Sequence, residues 1–176
     1  MLGFVNGKEQ AAILGSIRGI SNMANVLMEQ LETQVVADWA RIHSKDGKGG
    51  LDGAVARLNK IGIVLWLLGM VTILFFGQEI VSLFLGSLYV PYWKLLAIGW
   101  LAYGLYFIAR VSGIKHRTIG ANHVEFGGGV SGVVMALVSG LLFIPAFGLT
   151  GAAWSYVAIA AALLGVQIYQ ARKLSI

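Results

Sequence analysis

From Phe126 to Ala171 the chain runs for 46 residues without one Asp, Glu, Lys or Arg. A helix that crosses a bilayer needs about 20 residues, so this run is too long for one crossing. Pro145 and Gly148 interrupt it once. The pattern predicts a helical hairpin with arms over 127–144 and 149–171. The rest of the chain agrees in kind. Of 176 residues, 57% are hydrophobic and 12% charged, where soluble domains carry roughly 25% charged residues. The expected class is therefore an integral membrane protein rather than a soluble domain. The absence of cysteine excludes disulfides, thiol nucleophiles and thiolate metal sites, and three scattered histidines have no ligand spacing. The net charge of +5 would suggest nucleic acid in a soluble chain. Here the basic residues lie between apolar runs, so topology explains them better and no nucleic-acid partner is expected.

Three more helices are predicted, over 10–41, 52–78 and 92–114, all within one membrane domain spanning 1–176. The uncharged stretch Ile61 to Gln78 covers about 27 Å at 1.5 Å per residue, close to a bilayer core of about 30 Å. Lys45 to Gly50 reads as a loop, and the short apolar piece Glu79 to Leu85 with the following Gly86 to Pro91 as a connection rather than a span, extended or turned at the proline. Trp93 and Trp100 suggest a headgroup level. The fold class is thus an all-α polytopic bundle of about five transmembrane helices. Lys and Arg count five in the first connection (Arg41, Lys45, Lys48, Arg57, Lys60), one in the second (Lys94) and three in the third (Arg110, Lys115, Arg117). The fourth has none and the tail has Arg172 and Lys173. This alternation predicts the N-terminus outside and the C-terminus in the cytoplasm. Met1 to Glu9 lacks the order of a signal peptide, so an outside start leads to the expectation that further helices precede it.

Arg18, Asn22, Asn25, Glu29 and Glu32 are spaced 4, 3, 4 and 3, which places them on one stripe of the first helix. Nine Leu, Ile, Val or Met residues at about −0.3 to −0.6 kcal/mol each must offset Arg18 at roughly +2.5 kcal/mol, besides the other polar groups. Such a helix either needs neighbours in a bundle, the expectation adopted, or lies flat on the membrane. In a bundle the stripe implies a polar cavity with Arg18, Asn22, Asn25 and Glu29 as its candidate lining, Arg18 holding an anion such as a phosphate. The plainer alternative is that Arg18 and Glu29 pair with groups on other helices, or that Glu29 and Glu32 reach the headgroups. Gly128, Gly132, Ala136 and Gly140 recur every four residues and form a packing strip, with Gly151, Ala152 and Ser155 as the facing set. Arg110, Lys115, His116 and Arg117 form a basic cluster that topology explains, or that touches anionic headgroups or a diphosphate. Glu125 suits the start of the fourth helix. The glycine-rich Lys45 to Gly53 lacks the Gly-Lys-Ser/Thr ending of a phosphate loop, and no catalytic or metal-binding motif is present. Neither enzyme activity nor a cofactor is expected.

Two stretches resemble a known family. Phe84-Leu85-Gly86-Ser87-Leu88-Tyr89, with Gly86 and Tyr89 as its marks, is similar to one element of polysaccharide-export flippases. Ile144 to Trp154, with Pro145, Gly148 and Gly151, is similar to their helical hairpin. The chain thus resembles the C-terminal part of the Wzx-type O-antigen and polysaccharide flippases, in the superfamily that includes MATE-like multidrug exporters. The resemblance covers most of the chain and implies the last five helices of a twelve-helix protein. It further implies flipping of a lipid-linked oligosaccharide, on a carrier of the undecaprenyl diphosphate type, across a bacterial or archaeal cytoplasmic membrane. The implied partners are that lipid-linked glycan, membrane lipid, and the N-terminal helices of a longer chain or a partner subunit. Alternatives are a cation-coupled multidrug exporter and a structural membrane subunit without transport.

Overall fold

The computed structural model describes residues 7–173, and among these it contains helix and no strand. Helix α1 runs over Lys8–Leu85, a 3-10 turn over Ser87–Tyr92, α2 over Trp93–Thr118, and α3 over Asn122–Lys173. All three long helices include stretches long and apolar enough to cross a membrane.

Two of them double back. α1 is helical up to and away from Gly47, whose φ of 68° and ψ of −158° no ordinary L-residue adopts without strain. The arms on either side meet: Val35, Val36, Trp39 and Ile42 pack with Leu51, Ala54, Val55 and Leu58. Further along, Ile13, Ile17 and Ile20 join Ile73 and Val81. The arms approach so closely beside the turn that a Cβ on Gly50 would stand 2.5 Å from that of Asp46. α3 reverses at Gly148, with φ 56° and ψ −126°. Ser131 Oγ donates to the Ala162 carbonyl at 3.3 Å across the resulting hairpin. Gly132 there faces Ile159 and Leu163.

Several boundaries differ from those read in the sequence. Lys45 to Gly50 is not a loop, because a single positive-φ glycine reverses the chain while helical bonding continues on both sides. The helix expected to end at Gln78 bends at Phe76 (φ −121°, ψ 20°) and continues to Leu85. Gly86, at φ 92°, then stops it, its N–H donating to Ser82 at 3.0 Å. Pro91 sits inside the 3-10 turn rather than an extended link, since its fixed φ matches that geometry. α2 gains a turn to Thr118, where Lys115, His116 and Arg117 lie at the negative end of the helix dipole. Glu125 occupies the first turn of α3, which begins at Asn122 rather than 127.

The second arm of α1 and helix α2 interlock by rings laid on glycines. A Cβ on Gly62, Gly69 or Gly77 would strike Phe107, Trp100 or Trp93 respectively, and one on Gly104 would strike Trp66. Trp66 Nε1 donates to the Trp100 carbonyl at 2.8 Å, and Trp100 Nε1 donates to the Trp66 carbonyl at 2.9 Å. Trp100 is therefore a packing residue with a satisfied N–H. Outward-facing apolar residues are abundant: Phe75 and Leu83 on α1, Val133, Leu137, Leu141 and Leu142 on α3. Only 11% of the most apolar window of α1 and 22% of that of α3 is buried within the bundle. Exposed apolar surface on this scale needs a cover other than water, as in a membrane protein.

Candidate functional site

The polar stripe of α1 does not open into one cavity but is divided between two. The first cavity, about 290 Å³, lies among the first arm of α1, α2 and the second arm of α3. Arg18 and Asn22 line it, together with Tyr103 and Tyr106 from α2 and Tyr156 from α3. Apolar walls come from residues such as Leu14, Ile17 and Leu95. Arg18 Nη1 donates to the Tyr156 hydroxyl at 3.2 Å, and its guanidinium carbon lies 4.7 Å from the centroid of the same ring. Tyr103 donates its hydroxyl to Asn22 Oδ1 at 3.2 Å. The guanidinium and the amide are each held by a phenol, not by a carboxylate.

The second cavity, about 340 Å³, is lined by Glu32, Tyr106, Arg110, Arg117, Glu125 and Gln167 among others. Tyr106 thus forms a wall of both. Glu32 is gripped by two arginines: Arg110 Nε donates to it at 2.6 Å, and Arg117 Nη2 donates to its other oxygen. Arg117 Nε also lies 3.0 Å from Glu125, and Arg110 Nη1 lies 4.0 Å from Glu29. The cluster ties the first arm of α1, α2 and the start of α3 together at one end of the bundle. Nearby, Lys115 pairs with Asp52 at 2.8 Å and His116 is buried. The basic end of α2 is therefore engaged with carboxylates.

Of the four residues expected to line a cavity, Arg18 and Asn22 share the first. Glu29 stands with the arginine cluster, the pairing across helices that the plainer reading anticipated. Asn25 is on the helix, but its side chain lies outside the described residues. Gly128, Gly132 and Gly140 are buried, as are Gly151 and Ala152, while Ala136 is partly buried. The strip faces the chain's own last arm: Gly128 contacts Gln167, and Gly127 lies against Gln170. Gly86, Pro145 and Gly148 stand at the end of α1 and at the α3 reversal, and Tyr89, within the 3-10 turn, packs on the core. Among the described residues no cluster of His, Asp or Glu has the grouping of a metal centre.

Sequence reasoning missed the tyrosines and Gln167, which is 2% exposed. A signal existed for α2: Tyr103, Tyr106, Arg110 and Arg117 are spaced 3, 4 and 7, a second polar stripe on the helix facing the first. No protein-family model, curated protein or solved structure matches the chain.

Proposed function

We propose that this chain is a membrane-embedded lobe of a transporter that moves a lipid-linked oligosaccharide across the cytoplasmic membrane of a bacterium or archaeon. The observation that carries the reading is the first cavity, where the exposed Arg18 and Asn22 meet three tyrosines in an open pocket between long apolar helices. Polar groups on a helix that crosses a membrane are costly unless they meet water or a polar ligand. In this reading the arms of α1 and α3 and the single helix α2 make five crossings. The outside N-terminus and cytoplasmic C-terminus follow from the Lys and Arg alternation. The carrier is of the undecaprenyl diphosphate type, further helices supply the opposite wall, and translocation involves no covalent chemistry.

Two observations weigh against the alternatives. A cation-coupled exporter calls for an acidic binding cavity, whereas the described lining of the first cavity carries Arg18 and no carboxylate. A purely structural subunit would dock through the strip from Gly128 to Gly140, yet residues of the chain's own last arm lie against it. The test is export of the glycan in cells carrying the Arg18→Ala, Asn22→Ala double variant at wild-type abundance. A fall of tenfold or more in surface glycan supports the reading, and undiminished export overturns it.

A further inference from the structure

We propose that the first cavity binds a single acidic sugar residue of the glycan, one pyranose ring bearing a carboxylate, and that the diphosphate of the carrier is held elsewhere. This rests on the flippase reading and narrows it to a ligand class.

Charge comes first. Among the described residues lining the cavity, Arg18 is the one cation and no carboxylate is present. One guanidinium balances one negative charge and pairs with a carboxylate through two parallel N–H bonds. A diphosphate carries more than one negative charge, which a single guanidinium does not balance. The nearest other arginines offer no relief, since Arg110 and Arg117 are engaged with Glu29, Glu32 and Glu125.

Shape and hydrogen bonding come next. Tyr103, Tyr106 and Tyr156 bring three phenol rings to one pocket, beside the apolar Leu14, Ile17 and Leu95. A pyranose has an apolar C–H face, which suits the electron-rich face of a phenol. Its rim of hydroxyls suits groups that both donate and accept, as Tyr hydroxyls and the Asn22 amide do. The volume of about 290 Å³ lies at the small end of ligand pockets, which begin near about 300 Å³. It fits one ring of a repeat unit rather than the whole. Arg18 and Asn22 are already positioned by Tyr156 and Tyr103 at 3.2 Å each. Ligand groups would replace these phenol contacts one for one, so neither polar head is left unsatisfied when the site fills or empties.

The experiment is saturation-transfer NMR on the purified chain in lipid nanodiscs, with four probes: methyl glucuronide, methyl glucoside, inorganic pyrophosphate and tetramethylammonium. Helicity by circular dichroism verifies that each variant is folded. The expected result is transfer to the ring protons of the glucuronide, with affinity at least tenfold weaker in Arg18→Gln. The glucoside binds more weakly and is indifferent to Arg18→Gln, while both sugars lose binding in Tyr156→Leu. Pyrophosphate does not displace the glucuronide. If pyrophosphate binds in an Arg18-dependent way and the glucuronide does not, the inference is overturned while the flippase reading stands. Binding of tetramethylammonium with neither sugar overturns both. Binding of none of the four overturns the inference and leaves the flippase reading to the export measurement.

Discussion

At the scale of single residues, the bundle distinguishes glycines by what stands opposite them. Gly69 has the Trp100 indole where its side chain would be, and that ring is pinned by its bond to the Trp66 carbonyl. Gly69→Ala is therefore an overpacking change, expected to destabilise by about 1–3 kcal/mol. Gly165, inside α3, has nothing within 4 Å of a built Cβ. There Gly165→Ala should stabilise by up to about 1 kcal/mol through helix propensity alone. Thermal unfolding of the two variants in the same detergent checks both signs, and equal shifts would refute the interlock. Glu32 is a second such test. Its side chain is 14% exposed and holds two arginines, so Glu32→Ala removes two charge-assisted hydrogen bonds while Glu29 and Glu125 remain beside the arginines, and should cost about 2 kcal/mol. Arg41→Ala removes an exposed pair with Asp38 and should change stability by less than about 1 kcal/mol. The spacing of Arg18, Asn22, Glu29 and Glu32 was legible in the sequence, but the division that puts Arg18 and Asn22 in one cavity and Glu32 in another was not. That division depends on which α2 residue stands opposite each, and only the register of the first arm of α1 along α2, which runs parallel to it, sets this.

At the scale of elements, two glycines convert three helices into five arms. Charge and hydropathy located both reversals, because Pro145 and Gly148 interrupt an apolar run and Lys45 to Gly50 concentrates turn residues. Their sharpness was hidden, since it resides in the backbone angles of Gly47 and Gly148. Gly47→Val forces a β-branched residue to φ 68°, a strain of about 1–3 kcal/mol, and should part the arms around the turn. Spin labels at Ala40 and Ala56, both exposed, should report a short, narrow distance distribution in the parent. A longer, broader one is expected in Gly47→Val, and an unchanged distribution would show that the arms hold without the turn. The second arm of α1 was read too short because Gln78 and Glu79 suggested an end, whereas the ring-on-glycine contact at Gly77 and Trp93 carries the helix onward. Trp100, read in the sequence only as an interface residue, also exchanges N–H bonds with Trp66 across the two helices, a pairing that residue type alone does not reveal.

At the scale of the whole molecule, membrane character was the most legible property, since it follows from composition and from the 46-residue uncharged run. The topology proposed from the basic residues is directly testable because the chain contains no cysteine. Single cysteines at Lys48 and Gly120 should react with an impermeant maleimide only when the cytoplasmic face is opened. Cysteines at Leu88 and Phe147, both exposed, should react from outside, and the reverse pattern would invert the proposed orientation. The central claim is that the cavity of Arg18, Asn22 and the three tyrosines is where a lipid-linked glycan meets the protein. The most direct measurement is photocrosslinking in native membranes, using a lipid-linked oligosaccharide with a diazirine on its sugar portion and mapping the adducts by mass spectrometry. Adducts concentrated at residues 14–22, 99–106 and 153–160 are the predicted result. Adducts confined to the outward apolar face of 126–147, with none in those three segments, would contradict it.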